Sequence, residues 1–149
     1  MLPQKKYHFI VIGAGSGGLV SAAGAAGLGA KVALIEKDKI GGDCLNTGCV
    51  PSKAIIRTAK LAHDMRTAGR FGLSAHENDI HLEKVLASVR QAQQKLAHHD
   101  SIERMTSLGI DVYQGEFHFT SAHELTDGHT TLSAKRPWPS PRVPPPSKP

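Results

Sequence analysis

At 149 residues the chain is long enough for one domain with a buried core, and its net charge of +5 at first points to nucleic acid. The distribution excludes that reading. Residues 1–134 carry 14 Lys and Arg against 13 Asp and Glu, the surplus sits in Lys135, Arg136, Arg142 and Lys148, and no basic stripe is interleaved with aromatics.

In chain order, Tyr7 to Ile12, "YHFIVI", is a short apolar run that stops at Gly13 and reads as a buried parallel strand. Phe9 to Ala30 carries no charge, but seven of its residues are glycine, and glycine and alanine give too little transfer free energy for a membrane span. No membrane partner is expected. "GAGSGGLVSAAGAAGLGA" reads instead as a Gly-rich turn entering an Ala-rich helix, with Gly29 as its stop. Lys31 to Glu36, "KVALIE", is a second strand, and strand, helix, strand in this length is the βαβ unit of a parallel sheet.

Ala54 to Ala68 is expected to be helical, broken by Gly69 and Gly72. Leu82, Val85, Leu86, Val89, Leu96, Met105 and Leu108 keep helical spacing, which predicts one long helix or a helix pair capped by Gly109. "IDVYQGEFHFT", from Ile110, alternates like a strand, and Asp127-Gly128 marks a hairpin turn before "HTTLSAK". The fold class is therefore α/β, a Rossmann-like domain with a parallel sheet.

Gly13-Ala14-Gly15-Ser16-Gly17-Gly18 fits G-x-G-x-x-G in its diagnostic context, after a strand and at the start of a helix. Gly13 permits the tight turn, Gly15 lets a pyrophosphate approach the backbone, and Gly18 lets helix and strand pack closely. The helix start offers N–H groups to the anion. Glu36 ends the next strand, where a carboxylate can accept from a ribose diol. The turn alone does not tell FAD from NAD.

"GGDCLNTGCVPSK", Gly41 to Lys53, holds both cysteines, Cys44 and Cys49. A structural zinc site needs four ligands, and no second cysteine pair exists; His98-His99 is an isolated doublet. No metal site is expected. Two buried core thiols would leave the neighbouring glycines unexplained. A redox pair accounts for them: glycines let the sulfurs meet and let a flat ring approach, and a thiol at a helix start reacts as thiolate. Two cysteines are too few for a secreted disulfide framework, so a reducing, cytoplasmic location is expected.

From Lys6 to Lys135 the chain resembles the flavin-dependent pyridine nucleotide–disulfide oxidoreductases, which include dihydrolipoamide dehydrogenase, glutathione reductase and mercuric reductase. "GAGSGG", "ALIEK" and the cysteine box carry the resemblance. It implies FAD, with NAD(P)H in full-length members, which are homodimeric, and a small-molecule disulfide, dithiol or metal-ion substrate. It places Gly13, Gly15, Ser16, Gly17 and Gly18 at the pyrophosphate and Glu36 with Lys37 at the adenosine ribose. Gly42 and Asp43 would lie near the flavin phosphates, and Asp43 departs from the threonine most common there. Cys49 would face the flavin as the charge-transfer thiolate, Cys44 would exchange with substrate, and Lys53 would sit by the flavin ring. Gly115-Glu116 would meet the adenine. "PSK" rather than "PKK" leans away from glutathione reductase, with a mild preference for mercuric reductase.

The expected division is a partial FAD-binding domain over residues 1–134 and a Pro-rich aberrant or disordered tail over 135–149. Seven of nine prolines fall from Pro137 onward, where the family has a strand and an Ala-Thr-Gly turn. Trp138 has a single codon, and reading the codons from Arg136 out of frame can give "TVAIATGS", so a frameshift near Lys135 is one account and a native polyproline tail the other. A chain without the family's nicotinamide domain and His–Glu pair is expected to be inactive alone. Two rival readings stand: a non-catalytic nucleotide-binding module whose Pro141-Arg142-Val143-Pro144 docks on aromatic grooves, and an NAD-binding domain with incidental cysteines.

Overall fold

The computed structural model describes residues 4–76 and 79–134. The tail expected over 135–149 lies outside them. Two sheets form the frame. Strands β2 (Phe9–Ile12), β3 (Val32–Glu36) and β4 (Ile110–Gln114) make a parallel sheet in the order β2-β3-β4. Strands β1 (Gln4–Tyr7), β5 (His118–Ser121), β6 (Glu124–Thr126) and β7 (Thr131–Ala134) make a mixed sheet in the order β1-β7-β6-β5. Helix α1 (Ser16–Gly27) crosses from β2 to β3 and packs on both.

The central strand explains the layering. Every residue of β3 is buried, and its side chains alternate between two cores. Val32 and Leu34 join Val11, Leu19, Ala22, Met105 and Ile110 under the helices. Ala33 and Ile35 join Tyr7, Ile10, Leu125 and Leu132 between the sheets. The result is three layers: helices, parallel sheet, mixed sheet.

The expected elements are present, with boundaries moved for physical reasons. The run from Tyr7 to Ile12 is not one strand, because the chain changes sheet at His8. The N–H groups of His8 and Phe9 both donate to the Lys31 carbonyl, at 2.9 and 3.3 Å, and the Lys31 N–H donates back to His8 Nδ1 at 2.9 Å. The run from Ile110 likewise turns a corner at Gly115, where φ is +145° and the N–H donates to the Glu36 carbonyl at 2.9 Å. The Asp127-Gly128 hairpin joins β6 and β7. A second hairpin, β5 to β6, lies within the segment read as a single strand and its turn.

The segment expected to be helical from Ala54 is helical already from Cys49: α3 spans Cys49–Arg66. Pro51 falls in its first turn, where a missing N–H costs nothing. Leu82 to Leu108 is a pair rather than one helix: α4 (Leu82–Ala97), a 3₁₀ turn over His98–Asp100, then α5 (Ile102–Ser107). Ser101 restarts it by accepting the Arg104 N–H on its hydroxyl at 3.2 Å. The short helix α2 (Gly42–Asn46) lies between β3 and α3. No helix of the described residues is long and apolar enough to cross a membrane.

Candidate functional site

The carboxyl ends of β2, β3 and β4 lie side by side, and each carries one expected site residue: Gly13, Glu36 and Gly115. Ligands of open α/β sheets bind at this edge. The Gly-rich turn is built for close approach. A Cβ on Gly18 would lie 1.8 Å from the Gly13 carbonyl oxygen, so only glycine lets α1 sit this near β2. Gly15 and Gly17 have open space where a side chain would be. No side chain caps α1, and no acid lies in its first turn, so its leading N–H groups face outward beside exposed Ser16. The donor set is thus right for a pyrophosphate.

Glu36 is buried, and both of its carboxylate oxygens are engaged. Oε2 accepts the Ala14 N–H at 2.6 Å, inside the Gly-rich turn. Oε1 accepts the Asp38 N–H at 2.9 Å. The acid therefore holds the turn. Lys37 is exposed beside it, and Glu116 is exposed just past Gly115.

The cysteine segment is fastened to the same turn. Gly41 donates its N–H to the Ala14 carbonyl at 2.8 Å. Gly41 and Gly42 both have positive φ, +89° and +55°, and a Cβ on Gly42 would meet the Gly15 Cα at 2.9 Å. These glycines let the backbone reverse against the Gly-rich turn and deliver α2 onto it. Exposed Asp43 turns away from that contact: its carboxylate accepts the Thr47 hydroxyl at 3.3 Å.

Cys44 on α2 and Cys49 at the first position of α3 are free thiols within hydrogen-bonding reach of each other. Hydrogen bonds from Cys49 and then Ser16 hold the Cys44 thiol below its usual range. The hydrogen bond to Cys44 and then its charge push Cys49 up, opposed in part by Lys53 one turn further along α3. Because the two sulfurs interact, their protonation is a property of the pair.

Of the expected residues, the structure brings together the Gly-rich turn, Glu36, Gly42, both cysteines and Gly115; Lys37, Asp43, Lys53 and Glu116 lie exposed around them. Sequence reasoning missed Asn46 and Gln93. Asn46 Nδ2 donates to the Gly42 and Ile40 carbonyls, at 2.8 and 3.2 Å. Gln93, on α4, donates to the Leu45 and Asn46 carbonyls at 3.0 and 2.9 Å. The signal for Gln93 was a polar side chain at a position where the apolar helical spacing, Val85 to Val89, continues.

The sequence profile of the family described as pyridine nucleotide-disulphide oxidoreductase matches residues 7–136. The chain is 43% identical over 91 residues to a dihydrolipoyl dehydrogenase of Zymomonas mobilis, covering 61% of this chain and 20% of that protein. It is 40% identical over 111 residues to a dihydrolipoyl dehydrogenase of Bacillus subtilis, covering 74% and 23%. It is 29% identical over 136 residues to a mercuric reductase of Lysinibacillus sphaericus, covering 91% and 25%. The chain thus aligns with a fifth to a quarter of the length of these relatives.

Proposed function

Because this chain belongs to the pyridine nucleotide-disulphide oxidoreductase family, we propose that it serves an FAD-dependent disulfide oxidoreduction. With both cofactors bound, electrons would pass from NAD(P)H through the flavin to the Cys44–Cys49 pair and on to a small-molecule disulfide, dithiol or metal ion. The observation that carries this reading is the junction of two sites: a thiol pair in mutual contact, on a segment bonded directly to a phosphate-binding turn. An NAD-binding domain with incidental cysteines gives no reason for that junction.

The turn of Gly13 to Gly18 and the start of α1 would hold the pyrophosphate, and Glu36 the adenosine ribose. When bound, FAD supplies the two-electron transfer between nicotinamide and disulfide. The chain's own residues do the sulfur chemistry. The Cys44 thiolate attacks one sulfur of a substrate disulfide, forming a mixed disulfide and releasing a thiolate. The Cys49 thiol gives its proton to the thiolate just released and attacks Cys44, closing the Cys44–Cys49 disulfide and releasing the second substrate thiolate. The substrate gains two electrons, and the cysteines lose two. Ser16 and Cys49 stabilise the attacking thiolate by hydrogen bonding. A paired, exchange-ready dithiol suits the reducing cytoplasm.

The test is a titration of the purified chain with FAD and with NAD, followed by flavin fluorescence and calorimetry. FAD binding that is weakened by Gly15→Val, with no comparable NAD binding, is the expected result. Binding of NAD without FAD overturns the reading.

A further inference from the structure

Helix α2 is only five residues long, Gly42–Asn46, and cannot hold its shape alone. It nevertheless carries Cys44, and the four residues after it set where Cys49 begins α3. Its carbonyls are all the more in need of donors, since a helix leaves its last four without intrahelical partners. The Gly42 carbonyl is met by Asn46 Nδ2. The Asp43 carbonyl is met by the N–H groups of Thr47 and Gly48. Leu45 and Asn46 lie between the two cysteines, and the carbonyls of both are met by the single amide of Gln93. Those bonds span 48 and 47 positions of sequence. Gln93 sits on α4, which packs along α3, so one side chain ties the link between the cysteines to the helix pair that carries Cys49.

We propose that Gln93 is a positioning residue for the thiol pair: by clamping the Leu45 and Asn46 carbonyls it fixes the α2–α3 link and holds Cys44 against Cys49. It touches neither sulfur. Its effect is on the freedom the dithiol loses when the disulfide closes. With the clamp, little freedom remains to be lost, and the disulfide forms readily. Without it, Cys44 wanders relative to Cys49 and the effective concentration of one thiol at the other falls.

This inference rests on the proposed exchange chemistry of Cys44 and Cys49, and its test separates the two. The full chain is equilibrated in buffers of reduced and oxidised dithiothreitol, quenched with acid, alkylated and weighed by mass spectrometry. Gln93→Met keeps the length of the side chain and the helix but removes both donors. Gln93→Glu keeps the shape and replaces donors by acceptors that repel the carbonyls. Gln94→Met, at the exposed neighbour, is the control. Circular dichroism fixes a temperature at which each protein is folded, so a merely structural loss would move the melting curve and leave the equilibrium unchanged. Both Gln93 variants are expected to shift the equilibrium toward the dithiol by about tenfold, ~30 mV for a two-electron couple. Gln94→Met is expected to match the wild type. Wild-type cycling with unchanged Gln93 variants overturns the role of Gln93 alone. A wild-type chain that never closes a disulfide, even in oxidised buffer, overturns the exchange chemistry itself.

Discussion

The carboxylate of Glu36 holds two backbone N–H groups, and the proposed ribose contact would give its mutants a second readout. Each oxygen accepts a backbone N–H, from Ala14 and from Asp38, and hydrogen bonds to a charged group contribute about 1.5–3 kcal/mol each. Glu36→Gln keeps one acceptor and turns an NH₂ toward an N–H, so urea denaturation should show a loss of about 1–3 kcal/mol. FAD affinity should fall with it, by roughly 1–3 kcal/mol in Glu36→Ala, while thiol counting shows the Cys44–Cys49 pair intact. Unchanged stability together with unchanged FAD affinity would remove Glu36 from both roles. The sulfurs give a second prediction at this scale. Hydrogen bonding lowers the Cys44 thiol, so at neutral pH more of it is thiolate than of an ordinary cysteine. Ser16→Ala deletes one of those bonds, and the pH midpoint of Cys44 alkylation should move up. A midpoint that stays put would show that the Ser16 hydroxyl does not reach the sulfur. The identities of these residues were legible in the sequence, since motif and spacing single out Glu36, Cys44 and Cys49. Their bonding was not: the Ala14 N–H on Glu36 and the Ser16 hydroxyl beside Cys44 depend on atoms brought together across the chain, and no pattern of residue types encodes them.

At the scale of elements, glycines divide into those a Cβ would wreck and those it would improve. A methyl on Gly18 would run into the Gly13 carbonyl at 1.8 Å, and backbone on both sides cannot give way. Gly18→Ala should therefore push α1 off β2, with a loss of about 3 kcal/mol or more in a denaturation experiment. Gly24 stands in the same helix, exposed, with nothing within 4 Å of a Cβ. Gly24→Ala should stabilise by about 0.5–1 kcal/mol, because alanine loses less backbone freedom on folding. Equal effects at the two sites would contradict the packing. The Gly18 role was readable in advance because the G-x-G-x-x-G pattern encodes a local geometry. The elements misjudged were those shaped by tertiary contacts. The strand break at His8 exists because the Lys31 carbonyl receives two N–H groups there, and α3 begins at Cys49 because Gly48 ends the link from α2. Apolar periodicity reports burial, and both halves of a strand that changes sheets are buried, so such corners leave no mark in it.

At the scale of the whole molecule, two sheets must be held in register, and the mixed sheet was the part of the fold least visible beforehand. Its parallel pairing of β1 with β7 joins Gln4 to Thr131 and Tyr7 to Ala134, a contact between distant parts of the chain that no local signal announces. Tyr7 fastens that sheet to the parallel one. Its ring is buried between the sheets, its hydroxyl donates to Asp111 Oδ2 at 2.6 Å, and it lies 2.6 Å from the Tyr113 hydroxyl. Lys31 and Lys5 lie over the Tyr7 and Tyr113 rings, 5.1 and 5.3 Å from their centres. Burial first, then the hydrogen bonds to Asp111 and Tyr113, push the Tyr7 hydroxyl far above its usual range. The folded value thus exceeds the unfolded one, about 10. A group of this sign contributes stability in full below the unfolded value. As pH rises past it, the unfolded chain releases the proton that the folded chain keeps, and the contribution is lost. Tyr7→Phe removes the hydroxyl and with it this dependence. Near pH 7.5 the wild type should be more stable than Tyr7→Phe by about 1–2 kcal/mol. Above pH ~10 that difference should shrink steadily, because the wild type alone must hold a tyrosine protonated against solvent. Urea midpoints of both proteins between pH 7.5 and 11 decide the matter. Two curves that fall in parallel over the whole range would show that the Tyr7 hydroxyl does not hold the sheets together.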